Sequence, residues 1–259
     1  MRNEMMTVAK NQEIAANTYE LTLSGALVND ISKAGTFLHI EVPGGDLVLR
    51  RPISIASVDP VAGTCTLVYK EMGEGTKRLA RCRPGDLLAV LGPLGNTGFP
   101  VESPQAEDHV LLIGGGVGVP PLYYAAYELA KRKVTFTVIL GFQTKAAVFY
   151  EEQFRYLPGS EVQIMTDDGS YGGQGTVIDA LKTRTDRPAW LFSCGPRGML
   201  RALEIVSAQP GTKGYVSLEE RMGCGVGACL ACVCETADRS SYRKICQDGP
   251  VFAFKEVLL

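Results

Sequence analysis

Four of the eight cysteines fall within eleven residues, 224 to 234, and a fifth follows at position 246. The spacing is C-x4-C-x2-C, from Cys224 through Cys229 to Cys232, then the distant Cys246. Two sulfide-bridged irons need four thiolates converging on a small volume, and this is the spacing of plant-type 2Fe–2S clusters. Gly223, Gly225 and Gly227 let backbone N–H groups approach the sulfurs and permit positive φ. Cys224, Cys229, Cys232 and Cys246 are therefore the expected metal ligands. Structural zinc sites also use four cysteines, but usually as two short pairs, whereas here three ligands share one loop. Cys234 competes with Cys232 for the third position; the short x2 gap favours Cys232 and leaves Cys234 a buried thiol. Eight cysteines in 259 residues is too sparse for a secreted disulfide scaffold.

The elements that must position this loop fall into two stretches. Over residues 5–100, short runs at 18–23 and 37–42, which alternate, and at 46–50, 64–70 and 86–93, each following a turn, are separated by turn residues. They predict an antiparallel barrel or sandwich with one helix over 75–80. Two places there exceed scaffold. Arg50-Arg51-Pro52-Ile53-Ser54-Ile55-Ala56-Ser57 combines Arg with small hydroxyl residues beside a strand, a set able to hold a phosphate and ribityl hydroxyls. Glu71-Met72-Gly73-Glu74-Gly75-Thr76-Lys77 is a Gly-rich turn opening a helix, where backbone N–H groups suit a pyrophosphate; a plain turn is the equal alternative. The two histidines, His39 and His109, carry no motif. His39 is expected half-exposed in its strand, and no His-based catalysis follows.

From residue 104 the pattern changes. Strand 109–113 leads into Gly114-Gly115-Gly116-Val117-Gly118-Val119-Pro120-Pro121 and a helix over 122–131. Strand, Gly-rich turn and helix form the dinucleotide-binding arrangement, although Pro121 stands where a third Gly would be, as a first helical turn tolerates. Strands 134–142, 162–166 and 189–193 follow, with helices predicted at 147–156, 175–184 and 197–208. Strands alternating with helices imply a parallel sheet whose ligand lies beyond the strands' carboxyl ends. Those ends carry Gly141, Asp167-Asp168-Gly169 and Cys194-Gly195-Pro196. Asp167 and Asp168 are as well suited to capping as to ligand contact.

Composition sets the bounds. A formal net charge of −2 offers no basic excess for nucleic acid or an anionic membrane. An apolar share of 46 % is ample for a full core. No signal peptide and no long apolar run is visible, so a cytoplasmic protein with reduced thiols is expected. A nicotinamide delivers two electrons as hydride and a 2Fe–2S cluster carries one, so a flavin is expected between them.

Arg51-Pro52-Ile53-Ser54, Gly115-Gly116-x-Gly118-x-x-Pro121 and Cys194-Gly195-Pro196-Arg197-Gly198-Met199 resemble the ferredoxin–NADP reductase superfamily. With Glu220-Arg221-Met222-x-Cys224-Gly225-x-Gly227-x-Cys229-x-x-Cys232 and Cys246-x-Asp248-Gly249-Pro250-Val251-Phe252, the whole chain is similar to electron-transfer subunits of class 1B dihydroorotate dehydrogenase. That resemblance implies FAD, one 2Fe–2S cluster, NAD, and an FMN-containing catalytic partner subunit oxidising dihydroorotate in pyrimidine biosynthesis, as a two-plus-two heterotetramer. It places FAD contacts at Arg51, Pro52, Ile53, Ser54, Val68, Tyr69, Lys70, Gly75 and Thr76. It places the dinucleotide near Gly115, Gly116 and Gly118, with the nicotinamide near Cys194 and Gly195. Wider superfamily members have Tyr where Ile53 stands. Hydride then passes directly between nicotinamide and flavin, so alignment is the protein's task and no catalytic acid or base is expected. No Arg pair follows the second strand to take a 2′-phosphate, although Lys145 is near, and NAD is expected mainly by resemblance. The implied domains are a flavin barrel at 1–103, a dinucleotide α/β domain at 104–213 and a small iron–sulfur lobe at 214–259. The 220–235 loop is expected at the partner interface. The competing readings are a sulfide-dehydrogenase-type flavin/iron–sulfur subunit and a zinc-stabilised nucleotide-binding regulator.

Overall fold

A computed structural model describes residues 1–185, 188–207 and 211–259. Six antiparallel strands close a barrel: β1 (Arg2–Ala15), β2 (Thr18–Ser24), β3 (Phe37–Ile40), β4 (Arg51–Asp59), β5 (Thr64–Lys70) and β6 (Leu87–Leu94). The order around it is β1-β2-β5-β4-β3-β6. Its inward positions follow the period-two rule: Met6 and Val8, Leu21 and Leu23, and Leu38 and Ile40 are all buried. Helix α1 (Glu74–Ala80) connects β5 to β6.

The barrel differs from the expected set in two places. The long β1 is not among the expected strands; its apolar residues are few, and its role emerges only when β2 and β6 pair along it. The strand expected at 46–50 is absent. Gly44 and Gly45 turn the backbone at φ +109° and +77°, the Asp46 carboxylate is tied to Arg78, and Val48 and Leu49 point to water. Strand pairing resumes at Arg51.

The second half is a seven-stranded sheet in the order β10-β9-β8-β7-β11-β12-β15. β7 (His109–Gly115), β8 (Thr135–Phe142), β9 (Ser160–Thr166), β10 (Gly173–Gln174), β11 (Trp190–Cys194) and β12 (Lys213–Ser217) run parallel, and β15 (Val251–Ala253) is antiparallel to β12. Helices α2 (Val119–Lys131), α3 (Glu151–Arg155), α4 (Val177–Lys182) and α5 (Arg197–Val206) cover it. The helix expected at 147–156 is shortened to α3 because Tyr150 adopts φ +64°, a left-handed turn that interrupts helical continuation. Of the helix expected at 197–208, residue 208 lies outside the described residues. Two short strands, β13 (Val233–Glu235) and β14 (Tyr242–Lys244), form a ribbon before α6 (Ile245–Asp248).

The halves share a continuous core. α2 packs on β4 as well as on β7, Phe99 stacks on Phe192 at 5.2 Å, and the Tyr150 hydroxyl donates to Glu20 at 2.9 Å. The cysteine-bearing segment seats on both halves. Its Met222, Cys232, Ile245 and Cys246 pack with Phe37 and Leu94 from the barrel and with Leu200 and Val216 from the sheet half.

Candidate functional site

The first of two adjoining clefts, about 370 Å³, opens along β4 and β5. Arg51, Pro52, Ile53 and Ser54 form one wall and Val68, Tyr69 and Lys70 the other, with Thr76 at one end. β4 and β5 pair antiparallel through Ile55–Leu67, so their neighbouring ends present one continuous edge. Tyr69 is fixed from behind: its hydroxyl donates to Asn11 at 3.2 Å and its ring stacks on Tyr19 at 5.8 Å. Burial pushes the Tyr69 phenol well above its usual range, so it stays neutral. Gly75 is not itself on the lining; it lies under the Arg51 guanidinium, whose Nε is 2.4 Å from where a Cβ would stand. The Thr76 hydroxyl is spent locally, accepting from the Met72 and Gly73 N–H groups at 2.9 and 3.2 Å. With α1 only seven residues long, Arg51 and Lys70 are the cleft's cationic groups on the barrel side.

The second cleft, about 510 Å³, lies beyond the carboxyl ends of β7, β8, β9 and β11. Gly115, Gly116, Gly118 and Gly195 line it, as do Asp167 and Thr176. The glycines have a steric reason. A Cβ on Gly118 would stand 2.2 Å from the Cys194 carbonyl oxygen, and one on Gly115 2.8 Å from Met199 Sδ. Cys194 itself is fully buried behind this lining. Burial first, then the negative charge of Glu219, holds its thiol protonated well above the usual range. Asp168 closes a turn, accepting from the Ser170 N–H and hydroxyl at 2.9 and 2.6 Å.

Lys70, Met72, Val117, Leu218 and Glu219 border both clefts. Sequence reasoning singled out only Lys70 among these five. Glu219 faces the open cleft as a residue, yet its carboxyl is crowded by protein, and that desolvation pushes its pKa up to about 7. Its neighbour Glu220 pairs with Arg197 at 3.2 Å. For Leu218 and Glu219 the one available signal is their adjacency to the cysteine loop.

In that loop the backbone donors point at the sulfurs. Cys224 Sγ accepts from the N–H groups of Val226, Ala228 and Cys229 at 3.3–3.4 Å. Cys229 Sγ accepts from Cys224 N–H at 3.4 Å. Gly227 N–H donates to Cys246 Sγ at 3.1 Å and Cys246 N–H to Cys232 Sγ at 3.4 Å. Gly225 and Gly227 reach this geometry at φ +73° and +79°. Burial raises the Cys224 thiol, but the Val226 N–H and its neighbours outweigh that and bring its pKa to about 6. Among the described residues, no three His, Cys, Asp or Glu side chains are drawn onto one ion-sized point. The bonds instead link the four thiols as Cys224 with Cys229 and Cys232 with Cys246. Donors around four thiols in two pairs fit a two-iron cluster, in which each iron takes two thiolates. Cys234 stands apart, its thiol donating to the Arg243 carbonyl at 3.7 Å.

His39 departs from expectation. It is fully buried, not half-exposed, because the cysteine loop covers it: a Cβ on Gly225 would stand 2.7 Å from its Nδ1. Burial first, then Arg50, lowers its pKa to about 4, so the imidazole is neutral.

A flavin-type barrel joined to a parallel nucleotide sheet, with a thiol loop at the seam, defines a pyridine-nucleotide-linked flavoprotein electron transferase of the ferredoxin–NADP reductase fold. Comparisons narrow this. The model for the iron–sulfur cluster binding domain of dihydroorotate dehydrogenase B matches residues 219–258. The "Dihydroorotate dehydrogenase B (NAD(+)), electron transfer subunit" of Geobacillus kaustophilus is 51% identical over 99% of this chain and 98% of its own length. The protein of the same name from Bacillus caldolyticus is also 51% identical, over the same shares. The chain belongs to this family of dihydroorotate dehydrogenase B electron transfer subunits. Among solved structures, that of an NADH-dependent reduced ferredoxin–NADP oxidoreductase superposes with a TM-score of 0.87 at 28% identity, covering 98% of this chain and 90% of that one. The cytochrome b5 reductase domain of Ulva prolifera nitrate reductase shares the fold alone, with a TM-score of 0.67 at 16% identity over 82% of this chain and 97% of that one.

Proposed function

We propose that this chain is the electron-transfer subunit of an NAD-dependent dihydroorotate dehydrogenase, working with a catalytic partner subunit in pyrimidine biosynthesis. The carrying observation is the wall that the two clefts share at Lys70, Met72, Val117, Leu218 and Glu219. When bound, FAD supplies the conversion between two-electron hydride and one-electron transfer, and the 2Fe–2S cluster supplies the one-electron relay.

The chain's residues have distinct tasks in that scheme. Arg51 and Lys70 offset pyrophosphate charge, while Pro52, Ile53, Ser54, Val68 and Tyr69 hold a flat ring system against the barrel edge. Gly75 leaves room for the Arg51 guanidinium, and Thr76 fixes the turn beside it. Gly115, Gly116, Gly118 and Gly195 admit a dinucleotide backbone close to the strand ends. Cys194, buried and protonated, acts through packing beneath them. Cys224, Cys229, Cys232 and Cys246 hold the cluster, their N–H donors offsetting its negative charge.

The partner carries FMN and the assembly is two plus two. Exposed Val226, Leu230 and Tyr242 near the cluster loop suit an apolar contact with it, since such side chains in one neighbourhood mark interaction surfaces. No described helix is long and apolar enough to cross a membrane, and we place the complex in the cytoplasm. The three segments 1–103, 104–213 and 214–259 divide the work between flavin, dinucleotide and cluster, with β12 and β15 joining the last two.

Anaerobic titration of the purified chain with NADH tests the cofactor assignment: flavin and iron–sulfur absorbance should bleach together. Copurification with an FMN subunit and NAD+-dependent oxidation of dihydroorotate by the pair tests the rest. A colourless, zinc-containing chain would refute the redox reading; a coloured chain whose complex ignores dihydroorotate would refute the substrate.

A further inference from the structure

His39 is the one fully buried histidine, and neither of its ring nitrogens has a hydrogen-bond partner among the described residues. A neutral imidazole carries one N–H donor and one acceptor, and leaving such groups unpaired in a core is costly. The ring's surroundings say where a partner is missing. His39 is on β3 and pairs across to Pro52 on the flavin strand. Its Nδ1 meets the thiol loop at Gly225, next to Cys224, where a Cβ would come within 2.7 Å of it and 3.0 Å of Leu94 Cδ1. The Arg50 carbonyl favours the ring proton but lies outside hydrogen-bond geometry. The backbone supplies N–H donors to Cys224, Cys229, Cys232 and Cys246. The side chain that abuts the same loop with unmet polar atoms is His39.

We propose that His39 is a redox-tuning residue whose ring N–H donates to the sulfur shell of the iron–sulfur site from the flavin side. This rests on the assignment of Cys224, Cys229, Cys232 and Cys246 as cluster ligands. Hydrogen bonds to cluster sulfur stabilise the reduced, more negative state and raise the reduction potential. A donor next to the flavin strand therefore biases the cluster to accept electrons while the barrel and loop stay packed.

The chain has only two histidines, and His109 is engaged by Thr135 and Thr137 at 3.1 and 2.9 Å at the start of β7. Labelling histidine ring nitrogens with 15N thus marks His39 against one internal control. Pulsed EPR of the dithionite-reduced, cluster-loaded protein should show 15N coupling that His39→Leu abolishes. His39→Leu should move the cluster midpoint to a more negative value with the flavin midpoint unchanged, and His39→Gln, which keeps an N–H donor, should return it toward wild type. Absence of 15N coupling in a wild-type protein with a full cluster signal overturns the proposal. So does a Leu variant with the wild-type midpoint, or a Gln variant shifted as far as Leu. If His39→Leu fails to load iron, the labelled wild type and His39→Gln decide alone. A wild type with no cluster signal overturns the ligand assignment, and this proposal with it.

Discussion

The Arg51 guanidinium lies in the space that a side chain on Gly75 would fill, with Nε 2.4 Å from the position of its Cβ. A residue on β4 and a residue opening α1 therefore meet at one end of the first cleft, and the absence of a side chain at Gly75 is what lets the guanidinium sit there. A charge-assisted hydrogen bond of the kind Arg51 offers contributes about 1.5–3 kcal/mol. Arg51→Ala should weaken FAD binding by roughly 10- to 100-fold, by that energy, in fluorescence titration of the deflavinated protein. Gly75→Ala should also weaken it, by displacing Arg51, with little loss of fold stability. Unchanged FAD affinity in both variants would remove Arg51 from the site.

Gly118 meets backbone, not a flexible side chain. A methyl there would come 2.2 Å from the Cys194 carbonyl oxygen, so the turn after β7 must part from β11. Gly118→Ala should lower unfolding stability by about 1–3 kcal/mol, the usual range for overpacking. It should slow reduction of the flavin by NADH far more than it affects FAD retention, as stopped-flow absorbance and flavin content would show.

Cys232 closes the loop and Cys234 lies two residues on, already on β13, and only Cys232 Sγ receives a bond from Cys246 N–H. Cys234 donates away, to the Arg243 carbonyl. Cys234→Ser should keep its iron content and reduced EPR spectrum. Cys232→Ser should lose most iron or show a strongly altered spectrum, because one of the two thiol pairs is broken. Equal effects in the two variants would return the third ligand position to dispute.

Glu219 gives a pH signature. Its pKa of about 7 is above the ordinary carboxylate value of 4.5, so between those values the folded chain holds a proton that the unfolded chain has released. Folding stability from this group therefore falls as pH rises through that window and is level above it. Glu219→Gln removes the ionisation. Its melting temperature should gain on wild type as pH goes from about 5 to 8, and a pH-independent difference would contradict the crowded carboxyl.

What could be read from the sequence was whatever depends on local spacing. The C-x4-C-x2-C run, the Gly114–Gly118 turn and the alternation of β2 and β5 are each set within a few residues. What escaped depends on chain segments meeting. His39 looks half-exposed in its own strand and is buried only because Gly225, far along the chain, covers it. Glu219 carries no motif; its position follows from two clefts closing on the same turn. The short run 46–50 after its Pro-Gly-Gly turn suggests a strand, but two positive-φ glycines and the Arg78–Asp46 bond hold it as a loop.

The cysteine segment leaves the nucleotide sheet through β12 and re-enters it beside the same strand through β15. It is therefore a closed excursion pinned at both stems, not a pendant module on a tether. Electron tunnelling is governed by distance, and a relay fastened at both stems cannot swing away from the flavin cleft as one on a single flexible linker would. Its transfer rate should thus be free of the swinging motion that limits carriers on flexible linkers.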